Sequence, residues 1–328
     1  HPFSCRAPTV LTAPEAFMTA LICGSLAFDT IMVFPDRFRN HILPDKVHLL
    51  NVSFLVPQMR REFGGCAGNI AYNLQRLGGN PLPMATVGAD FGLYAEWLQQ
   101  QGIDCRHVTT IEGSYTGQAF ITTDQDDNQI TAFHPGAMNF SHYNRVQDSQ
   151  GIALGIVSPD GREGMLQHAE QFAELGIPFI FDVGQGLPLF DGTELRHFLD
   201  LATYAAFNDY EAELTAERTG LSIAQMAERV QALIVTRGAE GSRIYQGGQC
   251  LEIPAVPPAQ IVDPTGCGDA YRAGLLYGLE RGMDWETTGR IAALLGALKI
   301  ATPGTQNHTF TAEAFAEQFQ ATFGYRFS

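Results

Sequence analysis

The chain has 328 residues, 45% of them hydrophobic, and a formal net charge of −15. There is ample apolar material for one large buried core, while the acidic balance excludes non-specific attraction to nucleic acid or anionic membranes, whose phosphates it would repel. No apolar run approaches the roughly 20 residues that span a bilayer, and the scattered cysteines (Cys5, Cys23, Cys66, Cys105, Cys250, Cys267) form no CxxC pair, as expected of reduced thiols in a cytoplasmic protein.

In chain order, residues 1–17 are rich in Pro, Thr and Ala and lack amphipathic pattern; they read as a tag or similar foreign segment ahead of a natural start at Met18, a native disordered arm being the alternative. Leu21 to Cys23 reads as a first buried strand. Pro44 to Glu62 and Gly117 to Phe133 alternate like antiparallel strands, the second around the turn-forming stretch 124–128. Attached to a parallel sheet they would make a small antiparallel β lid from roughly 33–63 and 115–135; two ordinary surface hairpins are the alternative. Between them, Gly64-Gly65-Cys66-Ala67-Gly68-Asn69 is a glycine-rich turn entering a helix. Its glycines let the backbone approach a ligand, and Asn69 offers a sugar hydroxyl both donor and acceptor.

Farther along, Ala153–Val157, Phe179–Phe181, Ala202–Phe207 and Leu233–Thr236 read as buried strands. They alternate with helical periodicity over Gly164–Leu175, Glu211–Gly220 and Ala224–Ala232. That rhythm argues for an α/β fold with a mostly parallel central sheet flanked by helices. Gln185, at a strand end, either hydrogen-bonds an acceptor or belongs to a structural turn. Asn208 and Glu211 follow another strand, where amide and carboxylate can hold hydrated magnesium through water. Thr236-Arg237-Gly238-Ala239-Glu240-Gly241 is a further strand-end turn.

The most informative stretch is Asp263-Pro264-Thr265-Gly266-Cys267-Gly268-Asp269, followed by an apolar helix over Ala270–Leu279. The amides of Gly266, Cys267 and Gly268 would point out of the helix N-terminus and attract phosphate. Asp269, on the first turn, could take a hydroxyl proton beside that anion site, as phosphoryl transfer requires. Alone, such a carboxylate more often just caps its helix.

Taken together and in this order, these four motifs resemble the ribokinase family, also called the phosphofructokinase-B family of carbohydrate kinases, from Met18 onward. The resemblance implies a ribokinase-like fold in one domain over 18–328, ATP as donor, magnesium as cofactor, Asp269 as catalytic base and the 266–268 amides as anion hole. It further implies Asn208 and Glu211 near magnesium and phosphates, and Thr236, Arg237, Gly238 and Gly241 near the nucleotide. Ser25, Asp29, Gly64, Gly65 and Asn69 would hold the acceptor, with Asp29 presented to vicinal hydroxyls. Potassium would be held through carbonyls near Asp263 and Thr265.

Val52–Val56, Gly88–Phe91, Phe133–Met138 and Gly304–Gln306 narrow the resemblance to ribokinase-like bacterial adenosine kinases, which phosphorylate a nucleoside 5′-hydroxyl. There the position of Phe133 stacks on the base, with Met138 beside it. A second stacking ring falls at Ala119, with Phe120 one residue off and so on the opposite strand face; broad nucleoside specificity is the expectation. The alternatives are a sugar kinase acting on a ribose- or fructose-type acceptor, and a non-catalytic nucleoside or sugar sensor. Partners are small molecules, with no nucleic acid and no membrane, and a homodimer remains open. Cys66 and Cys267, at helix N-termini, are either activated thiols or apolar fillers.

Overall fold

The computed structural model of the chain describes residues 18–42, 52–126 and 128–327. The expected foreign segment 1–17, and 43–51 of the expected lid, lie outside the described residues. In chain order the elements are β1 (Thr19–Cys23), β2 (Ala27–Val33), β3 (Gln58–Gly64), α1 (Cys66–Arg76), β4 (Asn80–Val87), α2 (Gly92–Gln100), β5 (His107–Thr110), β6 (Gly117–Thr123) and β7 (Gln129–His134). Then come β8 (Ile152–Val157), α3 (Arg162–Glu174), β9 (Phe179–Phe181), α4 (Gly192–Leu201), β10 (Tyr204–Asn208), α5 (Asp209–Thr219), α6 (Ile223–Ala227) and β11 (Ala232–Thr236). β12 (Ser242–Gln246), β13 (Gln249–Ile253), α7 (Cys267–Glu280), α8 (Trp285–Ile300) and α9 (Ala312–Phe323) complete the order.

Among the described residues, nine strands form one sheet in the order β13-β12-β11-β10-β9-β8-β1-β4-β5. It is parallel from β5 through β11, with β12 and β13 antiparallel at one edge. Side chains alternate across it, so each strand feeds two cores. Ala20 and Ile22 pack with α1, α2, α7, α8 and α9, whereas Leu21 and Cys23 face residues of α3 to α6. This is the covered sheet that the strand–helix rhythm predicts. No helix among the described residues is long and apolar enough to cross a membrane.

Several expectations shift: within Pro44–Glu62 the described strand starts only at Gln58, and the strand expected over Ala202–Phe207 runs Tyr204–Asn208. The helix expected over 224–232 stops at Ala227, because Ala232 already starts β11. The helix expected from Ala270 begins at Cys267, so that Gly266, with φ of 78°, is its N-cap. β4 is not among the expected strands, and its Pro81 and Pro83 are unusual in an internal strand. The register explains how it tolerates them. Met84 C=O accepts from Gly24 N–H, so Leu82 and Met84 face β1, while Pro81 and Pro83 face the side where β5 pairs only from Met84 onward. No ladder donor is missed.

The remaining strands form a smaller sheet, β3-β2-β6-β7, antiparallel except for the parallel β2–β6 pair. β2 precedes the expected lid segments; Phe28, Ile31, Met32 and Val33 place apolar residues on both faces and hide its alternation. In the large sheet the chain leaves β1 for β4 on one side and β8 on the other. The carboxyl end of β1 therefore lies at the topological switch point where open α/β sheets bind ligands. Ser25 N–H closes that end onto Pro159 C=O at 3.1 Å.

Candidate active site

The glycine-rich turn before α1 is shaped by close approaches. Gly65 has φ of 86°, and a Cβ there would lie 2.5 Å from Ser25 C=O; a Cβ on Gly64 would lie 2.5 Å from Asp29 Oδ2. The turn thus requires glycine at 65, and Gly64 brings the Asp29 carboxyl against the backbone of α1's entry. Ser25 Oγ accepts from Cys66 N–H at 3.1 Å. Its hydroxyl oxygen therefore holds this turn, a supporting role beside the expected one toward the acceptor.

Asn69, on the first turns of α1, donates through Nδ2 to Asp269 Oδ2 at 2.8 Å. Two motifs far apart in sequence meet here. Asn69 Oδ1 accepts from Gln306 Nε2 at 3.0 Å, and Gln306 also joins Tyr94 Oη at 2.7 Å and Trp97 Nε1 at 2.9 Å. Tyr94 Oη in turn donates to Gly64 C=O at 2.8 Å. Every side-chain polar atom of Asn69, Gln306, Tyr94 and Trp97 has a partner, so Asn69 is locked with its amide nitrogen toward the carboxylate. Tyr94 and Trp97 were not anticipated, since nothing in an α2 of mixed composition marks them as neighbours of Gln306.

At α7, burial pushes the Asp269 carboxyl up to about 7; Asn69 opposes this, Asp182 adds to it, and Arg272 and Cys66 oppose it. A carboxylate of that pKa is well placed to take a proton near neutral pH. The anion turn differs in one donor from expectation. The Cys267 amide is turned inward and donates to Pro264 C=O at 3.1 Å. Gly266, Gly268 and Asp269 keep amides without a hydrogen-bond acceptor among the described residues. Gly268 is exposed, and a Cβ there would meet only the Arg272 guanidinium at 4.0 Å.

Arg272 was given no role from the sequence; its signal was a charged residue inside an apolar helix. It is buried, and its Nη2 reaches Asp182 Oδ1 at 3.0 Å, Ala206 C=O at 3.2 Å and Glu211 Oε2 at 3.9 Å. Asp182, at the end of β9, is buried and its carboxyl is raised by that burial, with Arg272 opposing. One guanidinium thus ties the ends of β9 and β10 and the start of α5 to the helix that carries Asp269.

On the acceptor side, the register of the small sheet aligns Glu62, Asp29, Ala119 and Phe133 in one cross-strand row. Paired residues share a face, so Asp29 and the half-exposed Phe133 ring project together. Phe120 falls in the next row with Thr30 and Arg61, on the other face. Phe120 thus lies on the face opposite Phe133, as strand period implies. Burial, with Glu62 and then Asp263 nearby, pushes Asp29 up to about 6. Met138 is buried, its sulfur 2.9 Å from where a Cβ on Gly117 would lie. Gln185 is exposed and has no hydrogen-bond partner among the described residues.

On the nucleotide side, Asn208 and Glu211 form a reciprocal capping box at the start of α5. Asn208 Oδ1 accepts from Glu211 N–H at 2.7 Å, and Glu211 Oε2 from Asn208 N–H at 2.8 Å. No group of three or more metal-ligating side chains stands together among the described residues. Thr236 ends β11 and Gly238 opens on free space, whereas Gly241 is needed for packing, a Cβ there lying 2.1 Å from Ile253 C=O. Arg237, expected at the nucleotide, is engaged by Glu252 at 2.7 Å and Glu240 at 3.1 Å on the β12–β13 edge. Of the two readings of the thiols, burial favours the apolar filler, since it raises Cys66 well above the ordinary value and Cys267 to about 11. Finally, the Asp263 carbonyl, expected to face potassium, accepts from Lys299 Nζ at 2.8 Å.

A sequence model for the pfkB family carbohydrate kinases matches residues 28–312. The chain belongs to that family. Among its pfkB family relatives, the nucleoside kinase of Methanocaldococcus jannaschii is 32% identical over 273 residues, spanning 82% of this chain and 89% of that protein. The structure of Burkholderia thailandensis nucleoside kinase in complex with inosine superposes with a TM-score of 0.85 at 54% identity, over 94% of this chain and 99% of the other. The same enzyme in complex with ADP-inosine gives a TM-score of 0.83 at 56% identity, over 94% and 97%. A ribokinase-like α/β fold with a large, mostly parallel sheet and a smaller one is thus shared along nearly the whole chain.

Proposed function

We propose that this chain transfers the γ-phosphoryl group of ATP to the 5′-hydroxyl of a purine nucleoside. The observation that carries this reading is the 2.8 Å contact between Asn69 and Asp269, which joins the acceptor turn to the anion turn and leaves a carboxyl of pKa about 7 between them. Nucleoside kinase relatives, among them a structure with ADP-inosine, support the acceptor class.

In the reaction, Asp269 accepts the 5′-hydroxyl proton as the oxygen attacks the γ-phosphorus and the bond to the β-bridging oxygen breaks, releasing ADP. The amides of Gly266, Gly268 and Asp269 stabilise charge on the transferring oxygens. Asp29 orients the ribose diol, and the Phe133 ring stacks on the base from the same face of the lid. Tied to each other in a capping box, Asn208 and Glu211 would hold magnesium through its water shell. When bound with the nucleotide, the ion would screen charge on the β- and γ-phosphates. A single stacking ring grips the base weakly, which favours acceptance of inosine and guanosine beside adenosine.

The test is ADP release over a panel of nucleosides and sugars, with the phosphorylated position identified by NMR. Turnover of several purine nucleosides at the 5′ position is expected; turnover confined to free ribose or fructose would overturn the acceptor assignment, and tight nucleoside binding without turnover would favour a sensor. The pH profile is a second check. Asp269 must be ionised to accept a proton, so kcat/KM should fall as pH drops through about 7, with Asp29 steepening the decline near 6. A flat profile from pH 8 down to about 5 would remove Asp269 from the role.

A further inference from the structure

Lys299 lies near the end of α8 and is fully buried, rare for a lysine. Buried ammonium groups are costly unless hydrogen-bonded, and this one is held by main-chain carbonyls: Nζ donates to Asp263 C=O at 2.8 Å and to Thr302 C=O at 3.2 Å. Burial pulls its pKa below the ordinary lysine value, with the neighbouring Cys267 and Asp263 acting in the opposite direction.

The two carbonyls belong to the two segments that build the reacting end of the site. Asp263 leads into the 266–268 turn: its Oδ1 accepts from Thr265 N–H at 2.9 Å, and Pro264 C=O accepts from Cys267 N–H at 3.1 Å. Thr302 leads to Gly304, whose N–H donates to Asp263 Oδ2 at 2.9 Å, and on to Gln306, which holds Asn69. Val262 and Asp263 amides both close onto Ile300 C=O at 2.9 and 3.1 Å. One positive charge therefore staples the anion turn to the segment that orients Asn69. A potassium ion bound at the Asp263 carbonyl would share that oxygen with the ammonium and lie beside its positive charge, which opposes a second cation. The residues present do not fit a free ion there.

We propose that Lys299 is a tethered monovalent cation: its ammonium does the positioning of the anion turn that a potassium ion would do, so that phosphoryl transfer by this chain needs no free monovalent cation. Lys299 touches no reacting atom and acts as a positioning residue through the Asp263–Gly268 turn. The inference rests on the reading of that turn as the anion site.

The experiment measures kcat of the wild-type protein in potassium, sodium and tetramethylammonium salts at constant ionic strength, beside Lys299→Ala, Lys299→Met and Asp269→Asn. The wild type should turn over equally in all three salts. Lys299→Ala should lose about 10²-fold in kcat in tetramethylammonium, as a small misplacement of catalytic groups does, and recover with potassium or ammonium ions that enter the vacated space. Its nucleoside affinity by calorimetry should stay at the wild-type value, a split that general destabilisation would not produce. Lys299→Met fills the space without charge and should stay slow in every salt. Potassium activation of the wild type overturns the proposal, and this arm decides even if Lys299→Ala does not fold. So does a folded Lys299→Ala that is fully active in tetramethylammonium, or one that no cation restores. An active Asp269→Asn would instead indict the reading of the site itself, so the two failures are distinct.

Discussion

Asp269→Asn is expected to lower kcat by about 10²–10⁴, the usual cost of losing a general base, while nucleoside affinity stays within several-fold. The physical basis is that an amide keeps the carboxylate's shape and can still accept the 2.8 Å bond from Asn69 Nδ2 through its own oxygen, but cannot take the hydroxyl proton. Steady-state kinetics with ATP and inosine or adenosine, and calorimetry with the nucleoside alone, separate the two quantities. A variant with wild-type kcat would show that another group accepts the proton. One that lost nucleoside binding altogether would show that the carboxylate mainly shapes the acceptor pocket.

Arg272→Met should have the largest effect on stability. It would leave Asp182 buried and without its 3.0 Å partner, and deprive Glu211 of its nearest cation, while the methionine fills the aliphatic space. Removing one member of a buried ion pair typically costs about 3–5 kcal/mol, mostly the penalty of the stranded charge. Urea unfolding should show that loss, and adding Asp182→Asn to Arg272→Met should restore part of it, because the stranded charge is then gone. A change within about 0.5 kcal/mol for Arg272→Met would mean that the cluster is already solvated. The same replacement has a functional signature. Arg272 holds the Asp269 carboxyl down against its burial, so the acid limb of the pH profile should move to higher pH in the variant.

Much of this molecule is written in local pattern. Short apolar runs such as Phe179–Phe181 identify buried strands because a parallel strand covered on both faces needs little else. The two glycine-rich turns announce themselves because Gly65 and Gly266 have φ of 86° and 78°, and a Cβ on Gly65 would lie 2.5 Å from Ser25 C=O. The position of Phe120 on the face away from Phe133 also followed from strand period alone and reappears in the register. β4 was hidden for the converse reason: whether Pro81 and Pro83 break a ladder depends on where the neighbouring strand starts, which is a property of the sheet.

What only the tertiary structure decided is which polar groups spend their hydrogen bonds on one another. Cys267 follows Gly266 into a helix N-terminus, yet its amide is closed onto Pro264, and Arg237 sits in a nucleotide-side motif, yet faces Glu240 and Glu252. Helix position left Cys66 and Cys267 open to activation or to filling space; burial decides for the second, because it raises both thiols. Lys299 gives no local sign of its role: in sequence it is one cation near the end of an apolar helix. Its meaning arises when α8 delivers the ammonium against the carbonyls of Asp263 and Thr302. Motif spacing determined the chemistry this chain can perform; long-range packing determined which amides and which cation remain to perform it, since a backbone N–H has one proton to donate and, once it is given inside the fold, none for a ligand.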